Sequence, residues 1–166
     1  GDLVTAVMLV TPAGERRGAT PGEMAFAYDT SRLRRTGEIL LWAEFAVTPG
    51  LPDRLRRLAR ESLAFRKRTQ PLALPSAGCV FQNPDPARDG LPVGMPASAG
   101  ALVDRADLKG HRIGGARISP VHANFVVNEG GATARGVRAL VETARAAVRQ
   151  KFGVELSDEV VYLGEF

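Results

Sequence analysis

The residues of this sequence best able to do chemistry are a thiol in a loop of small residues and a pair of cations among glycines. In Ser76-Ala77-Gly78-Cys79-Val80-Phe81-Gln82-Asn83-Pro84, an ionisable side chain and an amide lie between Pro75 and Pro84. Gly78 has no Cβ, so a bulky ligand can come close to the backbone beside the thiol. On its residues alone the segment suits a buried structural thiol better than a reactive one. In Leu108-Lys109-Gly110-His111-Arg112-Ile113-Gly114-Gly115-Ala116, Lys109 and Arg112 stand among three glycines. That pattern suits a phosphate cradle, and it suits a plain turn equally. Read without further context, Lys67 is an exposed helix residue, Asn83 a turn former before Pro84, and Lys109 a turn lysine. Glu159 then reads as a solvated carboxylate at the start of a strand, and His122 as a satisfied structural histidine.

The elements that must position these groups follow from pattern. Leu3 to Val10 is apolar and β-branched, and Pro12 to Glu15 is a turn, which together predict a strand entering a hairpin. Pro21-Gly22-Glu23-Met24 opens a short helix, and Glu38 to Val47 is a second strong strand. From Pro52 to about Arg68, Leu55, Leu58, Ala59 and Phe65 recur at helical spacing with arginines opposite, an amphipathic helix with Pro52 near its first position. Pro71 and Pro75 interrupt regularity, and the prolines and glycines of 83–98 predict an ordered loop. Ala99 to Ala106 reads as a short helix, and Arg117 to Asn128 contains a strand around Phe125-Val126-Val127. Gly130-Gly131 turns into a last helix with Thr133 as N-cap. Its buried stripe is predicted to be Val137, Leu140, Val141, Ala144 and Val148, with Gly153 as the stop and Val160 to Leu163 as a terminal strand. Strands and helices mix without regular βαβ alternation, and neither GxGxxG nor GxxxxGK occurs, so the fold class is α+β.

Composition narrows the function classes. With 166 residues and 45% hydrophobic content the chain can bury a core. It holds no run near the roughly 20 apolar residues of a membrane span and no signal-peptide pattern, so no membrane role is expected. Its start, without Met and already in a strand-like run, reads as a piece of a longer protein. One cysteine excludes an internal disulfide and fits a reducing cytosol. Two histidines and that cysteine, widely spaced, make no metal-ligand pattern. The net charge of +4 and pI near 9.8 raise nucleic acid as a partner. Interspersed acidic residues and the lack of stacking aromatics beside the arginines argue against it, and an anionic small molecule suits the charge better.

The thiol loop and the glycine-lysine segment, followed by Ser119-Pro120-Val121-His122-Ala123-Asn124-Phe125-Val126-Val127-Asn128, resemble in order and spacing the signatures of UDP-N-acetylenolpyruvoylglucosamine reductase. Arg66-Lys67-Arg68-Thr69-Gln70-Pro71, Ala99-Gly100-Ala101-Leu102-Val103-Asp104 and Glu159-Val160 extend the match. The resemblance implies a flavin enzyme of bacterial cell-wall precursor synthesis, cytoplasmic, which uses FAD, with NADPH as reductant, to reduce UDP-N-acetylglucosamine enolpyruvate. It implies that residues 1–50 end a flavin-binding domain whose N-terminal segment is missing and that 51–166 form the substrate-binding domain. The short distance from Tyr28 to Cys79 resembles the compact type of the family. Cys79 then stands where most members have a proton-donating serine, and Glu159 matches the acidic residue beside the reacting carbon. Lys67, Asn83 and Lys109 match diphosphate-holding positions, and His122 a polar position near the substrate. The family's Tyr-Arg-x-Ser is Tyr28-Asp29-Thr30-Ser31 here. Its arginine polarises the substrate carboxylate, which an aspartate would repel. Tyr28 and Ser31 are kept as pocket candidates, and the neighbouring cation Arg32 is the candidate to reach in for the arginine. A non-catalytic nucleotide-sugar-binding module is the alternative that this departure favours.

Overall fold

The computed structural model describes residues 1–164, in which strands and helices mix as α+β. Two compact units follow one another, Gly1–Leu55 and a second beginning at Arg56. In the first, β1 (Val4–Val10) turns into β2 (Arg16–Ala19), α1 (Pro21–Met24) and α2 (Leu33–Thr36) follow, and β3 (Ile39–Phe45) returns beside β1. The sheet order is β2-β1-β3, all antiparallel. Alternation along β1 sends Val7 and Leu9 inward, where Ala19 and Met24 complete a small core. The α1 turn is fixed by a capping box. Thr20 Oγ1 accepts from the Glu23 backbone N–H at 3.3 Å, and Glu23 Oε2 accepts from the Thr20 N–H at 2.7 Å. Glu38, at the entry to β3, is held between Arg17 at 2.8 Å and Arg32 at 2.9 Å.

In the second unit, α3 (Pro52–Thr69), on which the boundary between units falls, leads to β4 (Ser76–Cys79), α4 (Ala99–Arg105), β5 (Arg112–Ile113), β6 (Ala116–Ile118), β7 (Phe125–Asn128) and α5 (Ala134–Phe152). The antiparallel sheet runs β4-β7-β6-β5. α5 packs on β5, β6 and α4. Leu102 and Val103 of α4, Ile118, Val126, and Leu140, Val141, Ala144 and Val148 of α5 share one core with Val80 and Phe81. Thr133 caps α5 by accepting from the Gly136 N–H at 3.0 Å, and Gly153 ends it with φ +72°, the left-handed conformation glycine allows.

Several expectations need correction. No terminal strand forms at 160–163; pairing falls earlier, where Ser157 and Glu159 bond to the 80–82 segment and Phe81 bridges Asp158. The α3 helix forms, but Leu55, Leu58 and Phe65 are exposed, because no described segment packs on that face. On α5, Val137 is only half-buried at the edge of the core, and Gly136 is buried in its turn. The glycine-lysine segment, read as a cradle or a plain turn, leads into the β5–β6 hairpin. Gly114 takes φ +56° at its turn, and a Cβ on Gly115 would overlap the Gly130 carbonyl. Among the described residues no helix is long and apolar enough to cross a membrane.

Candidate active site

Cys79 ends the edge strand β4. The ladder to β7 slips between Ser76↔Val127 and Cys79↔Phe125, and Gly78 absorbs the irregularity with φ +95°. A bulge of this kind re-aims the following side chain. Beyond Cys79 the backbone leaves regular pairing and is held on one side by a single residue, Asn124. The Val80 N–H donates to the Asn124 carbonyl at 2.8 Å, the Phe81 N–H donates to Asn124 Oδ1 at 2.9 Å, and Asn124 Nδ2 donates to the Phe81 carbonyl at 2.8 Å. On the other side, the C-terminal segment lies along the same stretch. The Glu159 N–H donates to the Val80 carbonyl at 2.9 Å, and the Gln82 N–H to the Ser157 carbonyl at 2.9 Å. Arg145 of α5, paired within its helix to Glu142, fastens that segment by donating from Nε to the Leu156 carbonyl at 3.1 Å and by an ion pair with Asp158. Its guanidinium lies 5.7 Å from the centre of the Phe81 ring.

This arrangement sets the state of the thiol. Burial raises the Cys79 pKa above its ordinary value, the nearby Glu159 carboxylate raises it further, and hydrogen bonding by Asn124 opposes both. The thiol therefore keeps its proton at neutral pH. It is equipped to give a proton rather than to attack as a thiolate.

Lys109 and His122 line a separate cavity of about 150 Å³ with Ser98, Gly100 and Asp104. Lys109 Nζ is 2.7 Å from Asp104 Oδ2. His122 accepts from the Asn124 backbone N–H at Nδ1, 3.2 Å away, so its neutral ring carries the proton on Nε2. Burial and then the Lys109 charge lower its pKa, which keeps that ring neutral. Gly100 makes room for it, since a Cβ there would come within 3.0 Å of the imidazole Cε1. Arg112, the other cation of the segment, ion-pairs with Glu129 on the far side of the hairpin.

The remaining predicted residues lie elsewhere. Asn83 accepts from the Ala99 N–H at 3.1 Å and lines a small cavity with Gln82, Arg88 and Ser157, not that of Lys109. Lys67 is exposed near the end of α3. Tyr28 is 74% exposed in the first unit, where Arg32 is tied to Glu38 and donates to the Glu23 carbonyl at 3.4 Å. Asp29 sits beside Tyr28 at φ +53°.

Residues 70–163 match the family described as the UDP-N-acetylenolpyruvoylglucosamine reductase C-terminal domain. This chain belongs to that family. A reductase of that name from Anaeromyxobacter dehalogenans (strain 2CP-1 / ATCC BAA-258) is 45% identical over 167 residues, covering 99% of this chain and 46% of the relative. One from Heliobacterium modesticaldum is 40% identical over 164 residues, covering 99% of this chain and 49% of its own length. The crystal structure of UDP-N-acetylenolpyruvylglucosamine reductase from Thermus caldophilus superposes with a TM-score of 0.73 at 34% identity, covering 93% of this chain and 52% of that one. The chain thus spans about half the length of the relatives it matches.

Three residues of this reductase-family chain escaped the sequence reading: Asn124, Asp104 and Arg145. Asn124 carried a signal, since it is a polar residue between the apolar positions Ala123 and Phe125. Asp104 is a charged residue at the end of α4 whose partner Lys109 stands in the following loop, and Arg145 is one of several arginines on α5, with Asp158 beyond the helix end.

Proposed function

We propose that this chain is the substrate-binding and proton-donating part of a UDP-N-acetylenolpyruvoylglucosamine reductase, which converts UDP-N-acetylglucosamine enolpyruvate to UDP-N-acetylmuramate for peptidoglycan in the bacterial cytoplasm. The observation that carries this reading is Cys79, a half-buried thiol kept protonated by burial and Glu159 in the loop where the family has its serine. FAD, reduced by NADPH, supplies the hydride to the substrate's methylene carbon when bound. Neither GxGxxG nor GxxxxGK occurs in this chain, and the residues assigned to its site act on the nucleotide and the reacting carbon rather than on FAD. Residues 1–50 are assigned to the end of the flavin-binding domain and 51–166 to the substrate domain. The exposed apolar side chains of β3 and α3 support a missing N-terminal flavin-binding segment as partner.

In the substrate domain, Lys109 would leave Asp104 for the diphosphate, whereas Lys67 and Asn83, which do not line the Lys109 cavity, are matched to the diphosphate by the resemblance alone. His122, neutral with a proton on Nε2, is placed to donate to a sugar or phosphate oxygen. Cys79 Sγ gives its proton to the carbon next to the methylene, and the thiolate is reprotonated from solvent. The negative charge of Glu159 favours the protonated thiol before the step.

The test is a stopped-flow comparison in the intact protein. Cys79→Ala should leave flavin reduction by NADPH unchanged and slow reoxidation by the enolpyruvyl nucleotide about 10² to 10⁴-fold, while Cys79→Ser keeps considerable activity. Reoxidation of Cys79→Ala at the parental rate would make the thiol structural. A second reading, a non-catalytic nucleotide-sugar-binding module, is favoured by Asp29 standing in the arginine position while Arg32 is bound to Glu38. Absence of flavin-linked NADPH oxidation in the intact protein, with nucleotide binding retained, would select it.

A further inference from the structure

We propose that Asn124 is the positioning residue of the Cys79 thiol, fixing its aim through the backbone that follows it. The inference rests on the reading of Cys79 as proton donor. Asn124 is 2% exposed, and burying a carboxamide is costly unless its donors and acceptors are used. Here the amide is used on one segment. Its oxygen and one of its N–H groups take both polar groups of the Phe81 backbone, and its main-chain carbonyl takes the Val80 N–H. Those are the two residues after Cys79, at the point where β4 has slipped register and no longer holds the chain by a ladder.

The carboxamide nitrogen has two N–H groups, and only one is used by Phe81. Hydrogen bonding by Asn124 lowers the thiol's pKa against burial and the Glu159 charge. Glu159 is the charged group acting on the thiol from the C-terminal segment, and Asn124 is the polar group acting from the β7 side. The same residue donates its backbone N–H to His122 Nδ1. One buried residue therefore links the backbone after the proton donor, through its side chain, to the imidazole of the Lys109 cavity, through its main chain.

The experiment titrates the thiol in the intact protein. Alkylation of Cys79 by iodoacetamide is followed against pH at the peptide level by mass spectrometry, in the parent, in Asn124→Asp and in Asn124→Gly. Asp keeps the shape but loses the donor, whereas Gly leaves room for water and adds no charge. Asp, which exchanges the donor for a negative charge, should move the titration upward, so that alkylation at mildly alkaline pH slows roughly tenfold, the scale of one lost hydrogen bond to a charged group, and Gly should move it less. An unmoved titration in a folded variant, judged by circular dichroism, overturns the proposal. On the unsubstituted protein, the Phe81 amide should exchange with deuterium as slowly as those of β7, and fast exchange there overturns the clamp even if no variant folds. Neither readout depends on turnover. A failure of Cys79 as proton donor, seen in Cys79→Ala kinetics, is thus distinguishable from a failure of Asn124 to hold the thiol.

Discussion

β3 and β7 are both short apolar strands in antiparallel sheets, yet they end in opposite surroundings. β7 is central in its sheet, between β4 and β6, and Phe125, Val126 and Val127 are buried. β3 is the edge of a three-stranded sheet, and Ile39, Leu40, Leu41, Trp42 and Phe45 are exposed on both of its faces. A hydrophobic edge exposed in this way is a surface for pairing and packing. The difference teaches that burial belongs to what covers a segment, not to the segment's own hydrophobicity. The second unit closes its core with α4 and α5 and carries Cys79, Glu159, Lys109 and His122. The first closes only a small core around Leu9 and Met24.

The largest expected effect is in the closed core. Leu140→Ala, at a fully buried position, should cost about 2 to 5 kcal/mol in urea unfolding of the chain. A loss below 1 kcal/mol would mean that this core is not the one that holds the unit. Next comes binding. Lys109→Ala should weaken UDP binding to the intact protein by roughly 1.5 to 3 kcal/mol, about one to two decades by calorimetry. Unchanged affinity would remove Lys109 from the site.

A smaller effect concerns His122, whose folded-state pKa lies below its ordinary value because of burial and Lys109. As pH falls, the unfolded chain takes up this proton before the folded one. The stability of the neutral ring is therefore fully present above the ordinary imidazole range, around 6.5, and is lost as pH falls through the depressed value. His122→Asn should remove part of that acid-side loss in urea midpoints measured against pH, and an identical profile would detach His122 from it. The smallest effect is on β3. Leu41→Ala, 46% exposed, should change the stability of the chain by no more than about 0.5 kcal/mol. If it cost as much as Leu140→Ala, the contrast between the two strands would fail.

Much of the regular structure was readable locally. The spacing of Leu140, Val141, Ala144 and Val148, the Thr133 cap and the Gly153 stop define α5, because helix signals lie within one or two turns of each other. The β1 strand and the Pro52 helix were equally plain. The short strands β4, β5 and β6 were not, since two to four residues carry no period and their pairing is with distant segments. The β-branched run at 160–163 misled for the same reason, because strand composition says nothing about which residues find a partner.

The same division applies to the site. Types and order of residues marked the thiol loop, Lys109, His122 and Glu159, and the family followed from their succession along the chain. Only the tertiary structure decided that the carboxylate of Glu159 acts on the Cys79 thiol across 80 positions of sequence, that Asn124 holds the backbone between them, and that Asn83 lines a different cavity from Lys109. Covalent neighbours and helical periodicity are properties of a few residues at a time. Protonation state and the aim of a side chain depend on burial and on charges brought from elsewhere in the chain, which exist only once it has folded.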